Sequence, residues 1–364
     1  MKPTRPQVSK RARRLARTLA IASVYASFAH AHAHAQELDL RGLLNPAARA
    51  PDLAVGYEAD PNWPRAVELR HDDAPVSAVA VDRDQHVWVL SRGSVAVRVF
   101  DTKGNLLRSW SDVSFRKPHG LGFDADGNVW ITDAGAHIAQ KFTPAGQLLQ
   151  TLGTPNEPGD DSSHFDQPTD VAVGPDGAIY VSDGYGNNRV VRFDPTGKYL
   201  GAFGREGSAL GEFRLPHALA FDSKGQLYVA DRSNARIQVF DSSGHPLREF
   251  RNLMVPWDLS ITPDDALFVC GSSPMRWPKG PRIGVPLGIP PKDQLVMKLN
   301  TEGTLQELWT FPQGSRYPGE LDWVHGIATD AQADLYLCDI EGKRVQKFHR
   351  QNDARLKARE HARP

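Results

Sequence analysis

Three histidines stand in matching sequence settings. His119 follows Pro118 and precedes Gly120-Leu121, His217 follows Pro216 and precedes Ala218-Leu219, and His325 precedes Gly326-Ile327. Neutral imidazoles are nitrogen donors. Three of them aimed at one point, with a fourth position open to water or substrate, make the ligand set of a catalytic zinc site. A single histidine of this kind reads more simply as a polar residue lining a wet channel, so the recurrence carries the inference. A second recurring slot holds Arg92, Arg232 and, one residue further on, Tyr185. Arginines facing a metal favour an anionic, carboxylate-bearing substrate. A tyrosine near a cation releases its proton more readily and suits a general base. Taken one at a time, each of these three also fits a surface salt bridge or a packed aromatic.

The elements that must position these residues are repeats. Clear copies of one pattern begin at His119-Gly120-Leu121-Gly122-Phe123, Thr169-Asp170-Val171-Ala172-Val173 and His217-Ala218-Leu219-Ala220-Phe221, and weaker copies begin at Ser77, Trp257 and His325. Each copy reads as four alternating strands. Asp126-Gly127-Asn128, Asp176-Gly177 and Lys224-Gly225 close the first hairpin, and Pro144-Ala145-Gly146, Pro195-Thr196-Gly197 and Ser243-Gly244 the second. Such residues accept the positive φ of tight hairpins. Four-stranded units repeated six times predict an all-β, six-bladed β-propeller. The last copy lacks its outer strand, which is expected from the segment around Leu53 to Leu69, closing the ring with an N-terminal strand.

Successive antiparallel strands reverse direction, so the start of each first strand and the loop after each second strand share one face of the disc. The first of these positions holds Ser77, His119, Thr169, His217, Trp257 and His325 in turn. Histidine therefore occupies the second, fourth and sixth blades, and alternate blades of a six-fold ring aim three imidazoles at one axial point. The ends of the second strands hold Asp133, Asp183, Asp231 and Asp339, expected to cap the loop backbone, with Arg92 and Arg232 in opposed blades and Tyr185 in the third. Two long loops emerge on that face, Gly153 to Gln167 and Cys270 to Gln294, the latter carrying Arg276, Trp277, Lys279 and Arg282. Loops of that length in a compact array are usually functional.

The 43 basic and 43 acidic residues balance, which argues against nucleic acid or an anionic membrane surface as partner. Residues 1–35 read as a cleaved signal peptide. Lys10, Arg11, Arg13, Arg14 and Arg17 precede a short apolar run from Leu19 to Ala29, too short to span a bilayer, and Ala31, Ala33 and Ala35 offer cleavage-site spacing, with the cut after Ala35 or after Ala33. Arg13-Arg14 matches the twin-arginine route poorly. The His30, His32 and His34 alternation falls at the cut and is set aside. The division expected is then 1–35 signal peptide, 36–350 propeller and 351–364 polar disordered tail, with the mature protein a periplasmic or secreted monomer without a membrane span. Cys270 and Cys338 fall at like positions in successive repeats and read as core thiols, with pairing open.

The repeat chemistry resembles NHL-repeat propellers. More specifically, His164-Phe165-Asp166-Gln167-Pro168-Thr169-Asp170-Val171-Ala172-Val173, Tyr180-Val181-Ser182-Asp183-Gly184-Tyr185-Gly186-Asn187-Asn188-Arg189, Pro118-His119-Gly120-Leu121, Pro216-His217-Ala218-Leu219 and Val229-Ala230-Asp231-Arg232-Ser233-Asn234-Ala235-Arg236-Ile237-Gln238 resemble peptidyl-α-hydroxyglycine α-amidating lyase (peptidylamidoglycolate lyase). The resemblance runs from about Val76 to Phe348. It implies His119, His217 and His325 as zinc ligands, Tyr185 and Arg92 as catalytic residues and Arg232 as a second active-site arginine. It further implies a structural calcium held in part by the backbone carbonyls of Val79 and Leu121. Gly326 stands where the pattern has a calcium-site aspartate, and Gly186 and Tyr228 stand where animal members carry disulfide cysteines. The reaction implied is zinc-dependent cleavage of a carbinolamide on a small anionic or peptide C-terminal substrate, releasing glyoxylate and leaving an amide. Two other functions fit the scaffold: an exported propeller that binds peptide or glycan without catalysis, and a metal-dependent hydrolase or lactonase.

Overall fold

Short turns set the strand spacing. Asp124 folds its carboxylate back on the chain, Oδ1 accepting from the backbone N–H of Asp126 (3.0 Å) and of Asn128 (2.8 Å), while Gly127 takes φ +83°. Asp222 does the same with Lys224 and Gln226, beside Gly225 at φ +73°. A side-chain acceptor next to a positive-φ residue fixes a tight hairpin. In the computed structural model, which describes residues 56–251, 253–272 and 294–351, such turns join antiparallel strands throughout. The signal peptide expected over 1–35, the 273–293 part of the fifth-blade loop with its four basic and aromatic side chains, and the tail from 352 lie outside the described residues.

Among the described residues the strands form six four-stranded sheets, the blades of a β-propeller. Five are consecutive in sequence, at 76–110, 118–152, 170–203, 216–250 and 255–311. The sixth joins Val324–Thr329, Leu335–Asp339 and Arg344–Arg350 to Tyr57–Ala59. Tyr57 lies opposite Arg350 and Ala59 opposite Phe348, so the outer strand of the last blade comes from before the first, as expected.

The second strand of each blade is buried along its length, as in Val129–Asp133 and Leu227–Asp231, and is built largely of β-branched, aromatic and leucine side chains. Between blades, large rings interlock. Trp130, Phe165, Val171 and Ile179 join the second blade to the third, and Trp88 of the first blade meets Phe123 of the second edge-on at 5.6 Å between ring centres. Cys270 and Cys338 are both buried free thiols, and Cys338 donates to the Val76 carbonyl (2.9 Å).

The innermost strands carry an irregularity where the site residues sit. Pairing with the second strand skips from Pro118 to Leu121, from Pro216 to Leu219 and from Val324 to Gly326. Each histidine thus lies in a β-bulge, and so do Ser77 and Trp257. A bulge re-aims a side chain out of the pleat, here toward the axis instead of into the sheet.

Candidate active site

The chain leading into each histidine is anchored by an aspartate. Asp133 accepts from the backbone N–H groups of Arg116 (2.6 Å) and Lys117 (2.8 Å), just ahead of His119. Asp231 accepts from Arg214 N–H (2.7 Å) ahead of His217, and Asp339 from Asp322 (3.1 Å) and Trp323 (2.9 Å) ahead of His325. The aspartates at the ends of the second strands therefore act on loop backbone, and they fix the approach of the histidine-bearing strands.

Each imidazole is then oriented by the next blade. Nδ1 of His119 donates to the Thr169 carbonyl (2.6 Å), Nδ1 of His217 to the Trp257 carbonyl (2.5 Å) and Nδ1 of His325 to the Ser77 carbonyl (2.8 Å). The three slots without histidine supply the three acceptors. With the proton placed on Nδ1, every Nε2 presents a lone pair, the tautomer a metal-binding histidine needs. All three side chains are buried, and their coordinating nitrogens lie within 4.8 Å of one another. Ring centres are 4.8, 4.9 and 5.1 Å apart. Imidazoles spread tetrahedrally about an ion at 2.0–2.1 Å from nitrogen would have ring centres roughly 5 Å apart. The donor set, its tautomers and its spacing fit a transition metal.

Burial keeps these imidazoles neutral. It holds His119 and His217 well below the ordinary histidine range, with neighbouring imidazoles adding to the effect, and it takes His325, with help from Arg92, down to about 3.

Tyr185 reaches the same nitrogens. Its hydroxyl lies 2.9 Å from Nε2 of His119 and 3.2 Å from Nε2 of His217, donating to one at a time. Gly184 lets the chain bring it there, because a Cβ at that position would stand 2.0 Å from the Pro216 carbonyl oxygen. Burial raises the Tyr185 phenol above its ordinary pKa, while Arg232 and then Arg92 pull it down. Burial wins in the protein alone. Arg232 is buried, its guanidinium 3.7 Å from the Trp257 ring centre and coupled to Tyr185 by charge and hydrogen bonding; desolvation brings it down to about 10. Arg92 is half-buried, donates Nε to the Pro118 carbonyl (3.2 Å), and is likewise lowered by burial.

Every side chain assigned to catalysis or to zinc from the sequence is therefore in one cluster. Val79 and Leu121 line the channel of about 500 Å³ that runs along the innermost strands from the histidines, together with Asp170 and Asp258. Gly326 brings no carboxylate there, and a Cβ on it would come within 3.1 Å of Cys338. Calcium needs six to eight oxygens. The carboxylates at this level accept backbone N–H groups, Asp170 from Leu219 (2.8 Å) and Asp258 from Leu259 (2.8 Å) and Ile327 (2.9 Å).

Two features of the site were not read as functional from the sequence. The orienting carbonyls of Ser77, Thr169 and Trp257 sit in the same slot as the histidines, so the repeat register was the signal that marked them. Lys117 had no such signal. Its ammonium stands 5.3 Å from the Tyr185 ring centre, and burial followed by the charge of Arg92 lowers it. The long loop before Thr169 is pinned to its blade: Arg189 binds Asp183 (3.0 Å) and donates to the carbonyls of Asp160, Asp161 and His164, and Phe165 is buried.

The chain is a six-bladed β-propeller with NHL repeats, the family match falling on residues 165–193 and 213–240. Several of its relatives are named for peptide amidation, and others as NHL repeat-containing protein 3. Peptidyl-glycine alpha-amidating monooxygenase B of Xenopus laevis is 33% identical over 330 residues, covering 81% of this chain and 36% of that protein. Peptidyl-alpha-hydroxyglycine alpha-amidating lyase 2 of Drosophila melanogaster is 32% identical over 219 residues, 53% of this chain and 52% of that one. The chain spans between 22% and 36% of the length of the first four curated relatives it matches. Among solved structures, a gluconolactonase from Xanthomonas campestris superposes with a TM-score of 0.56 at 15% identity, over 82% of this chain and 97% of that one, a likeness of fold.

Proposed function

We propose that the protein is a zinc-dependent lyase that cleaves an N-acyl-α-hydroxyglycine, or the α-hydroxyglycine end of a peptide, to an amide and glyoxylate. The observation that carries this reading is the Tyr185 hydroxyl at 2.9 and 3.2 Å from two of three convergent imidazole nitrogens. His119, His217 and His325 would hold the metal, which supplies a Lewis acid that lowers the pKa of groups bound beside it.

The remaining chemistry falls to side chains. Arg92 has the two terminal nitrogens of its guanidinium left for a substrate carboxylate, since Nε is spent on the Pro118 carbonyl. Tyr185, ionised under the combined charge of Arg232, Arg92 and the metal, takes the proton of the substrate hydroxyl. The C–O bond becomes a carbonyl, the C–N bond breaks, and the phenol returns its proton to the departing amide nitrogen. The proton count closes, and glyoxylate and the amide leave. Arg232, fixed on Trp257, keeps positive charge at the phenolate throughout. No step is assigned to calcium. The basic and apolar pattern of residues 1–35 supports export of the protein to the periplasm or medium, and no helix among the described residues is long and apolar enough to cross a membrane.

Glyoxylate release from N-benzoyl-α-hydroxyglycine by zinc-loaded protein is the test. Tyr185→Phe is expected to lower kcat by about 10²-fold or more, the usual scale for a general base, with bound zinc unchanged. Zinc-loaded protein that forms no glyoxylate but opens lactones would replace this reading with the hydrolase one.

A further inference from the structure

The proposed chemistry leaves one cation of the cluster without a task. Lys117 is held rigidly at its backbone: its N–H donates to Asp133 and its carbonyl accepts from Ala134 (3.0 Å). Its side chain is half-buried, and its ammonium faces the Tyr185 ring, 5.3 Å from the ring centre. The hydroxyl of that ring points to the histidines, and no hydrogen bond joins Lys117 to it among the described residues. Its charge is felt by His325, and that of Arg92 is felt by Lys117. Among the described residues no carboxylate lies within ion-pair distance of either Lys117 or Arg92, although ion pairs are frequent elsewhere in the ring, as at Arg189–Asp183 (3.0 Å) and Arg236–Asp231 (2.6 Å).

Two like charges partly withdrawn from water with no ion pair of their own are costly, and an anionic ligand relieves that cost. A single carboxylate clamped by Arg92 answers only one of them. We infer that Lys117 is a specificity-determining residue that binds a second negative group, on the acyl side of the substrate, so that the preferred substrates are dianionic N-acyl-α-hydroxyglycines such as those with an acidic acyl chain or an acidic residue ahead of the hydroxyglycine. This rests on the lyase reading for the identity of the first carboxylate.

Binding can be tested apart from turnover with N-acylglycines, which lack the hydroxyl and cannot be cleaved. Titration calorimetry of the zinc-loaded full chain is expected to give N-succinylglycine about a tenfold lower Kd than N-butyrylglycine at low salt, the gain of one additional partly desolvated ion pair. Lys117→Met should bring the two ligands to within about twofold, and Lys117→Arg should keep the preference. Circular dichroism and bound zinc establish that each variant is folded. Equal binding of both ligands by the wild type overturns the inference, as does a preference that survives Lys117→Met. Equal weakening of both ligands in Lys117→Met also overturns it, because Lys117 would then grip the glycine carboxylate. A Lys117-dependent preference without glyoxylate release would uphold the anion site and reject the lyase.

Discussion

At the scale of single residues, the site depends on which protonation state burial selects. The imidazoles are kept neutral by burial, against the upward pull of the Nδ1 hydrogen bonds to carbonyls that fix their tautomer, so the Nε2 lone pairs are left to accept the Tyr185 hydroxyl or a metal. Two carboxylates further along the channel show burial acting with the opposite sign. Desolvation raises Asp258 to about 7, and desolvation with the charge of Asp258 raises Asp170 well above the carboxylate range. For Asp258 the folded pKa lies above the unfolded one. The stability it contributes is present in full below about pH 4 and is lost as pH rises to 7, where a charge must be carried in the channel. Asparagine at this position does not titrate. Thermal unfolding of metal-free Asp258→Asn should therefore shift in the variant's favour relative to wild type between pH 4 and 8 and level off above 7. A difference that stays constant across that range would mean that Asp258 is not desolvated. The histidine slots were legible in the sequence because a repeat places like residues at like heights. The roles of the orienting carbonyls and of Lys117 were not, because each acts on a side chain of the neighbouring blade.

At the scale of elements, four of the six blades tie the face loop to the second strand through a buried carboxylate, Asp133, Asp183, Asp231 or Asp339. Blade four is the most developed case. Arg236 is buried and binds Asp231 (2.6 Å), Glu249 (2.6 Å) and the carbonyls of Ser208 (2.8 Å), Ala209 (3.0 Å) and Glu212 (2.7 Å). The same Asp231 receives the Arg214 N–H ahead of His217, so the network positions a proposed ligand. Removing one partner of a buried pair strands the other. Arg236→Met is expected to cost about 3–5 kcal/mol in denaturant unfolding, and Arg236→Met with Asp231→Asn should recover part of that loss. A loss below about 1 kcal/mol would mean that the network is surface decoration. From sequence, the aspartates were legible as loop caps by their recurrence. Their partners were less so, since the second blade has Ile138 where the third and fourth have Arg189 and Arg236.

At the scale of the whole molecule, six-fold architecture becomes three-fold chemistry. Alternate blades contribute a ligand or the carbonyl that orients one, and strand Tyr57–Ala59 closes the ring that makes the sixth slot a neighbour of the first. The number of blades and their closure followed from the repeat and from the missing outer strand. What the channel holds beyond the histidines did not follow, because Asp170 and Asp258 enter it from strands whose polar positions look like ordinary pleat alternation. The central claim is that the three imidazoles form one metal centre. Zinc-edge X-ray absorption of the zinc-loaded protein tests it most directly. The expected result is about one zinc per chain with nitrogen and oxygen scatterers alone, imidazole nitrogens among them at 2.0–2.1 Å and no sulfur. Zinc bound through sulfur, or held well below half an equivalent, would contradict it.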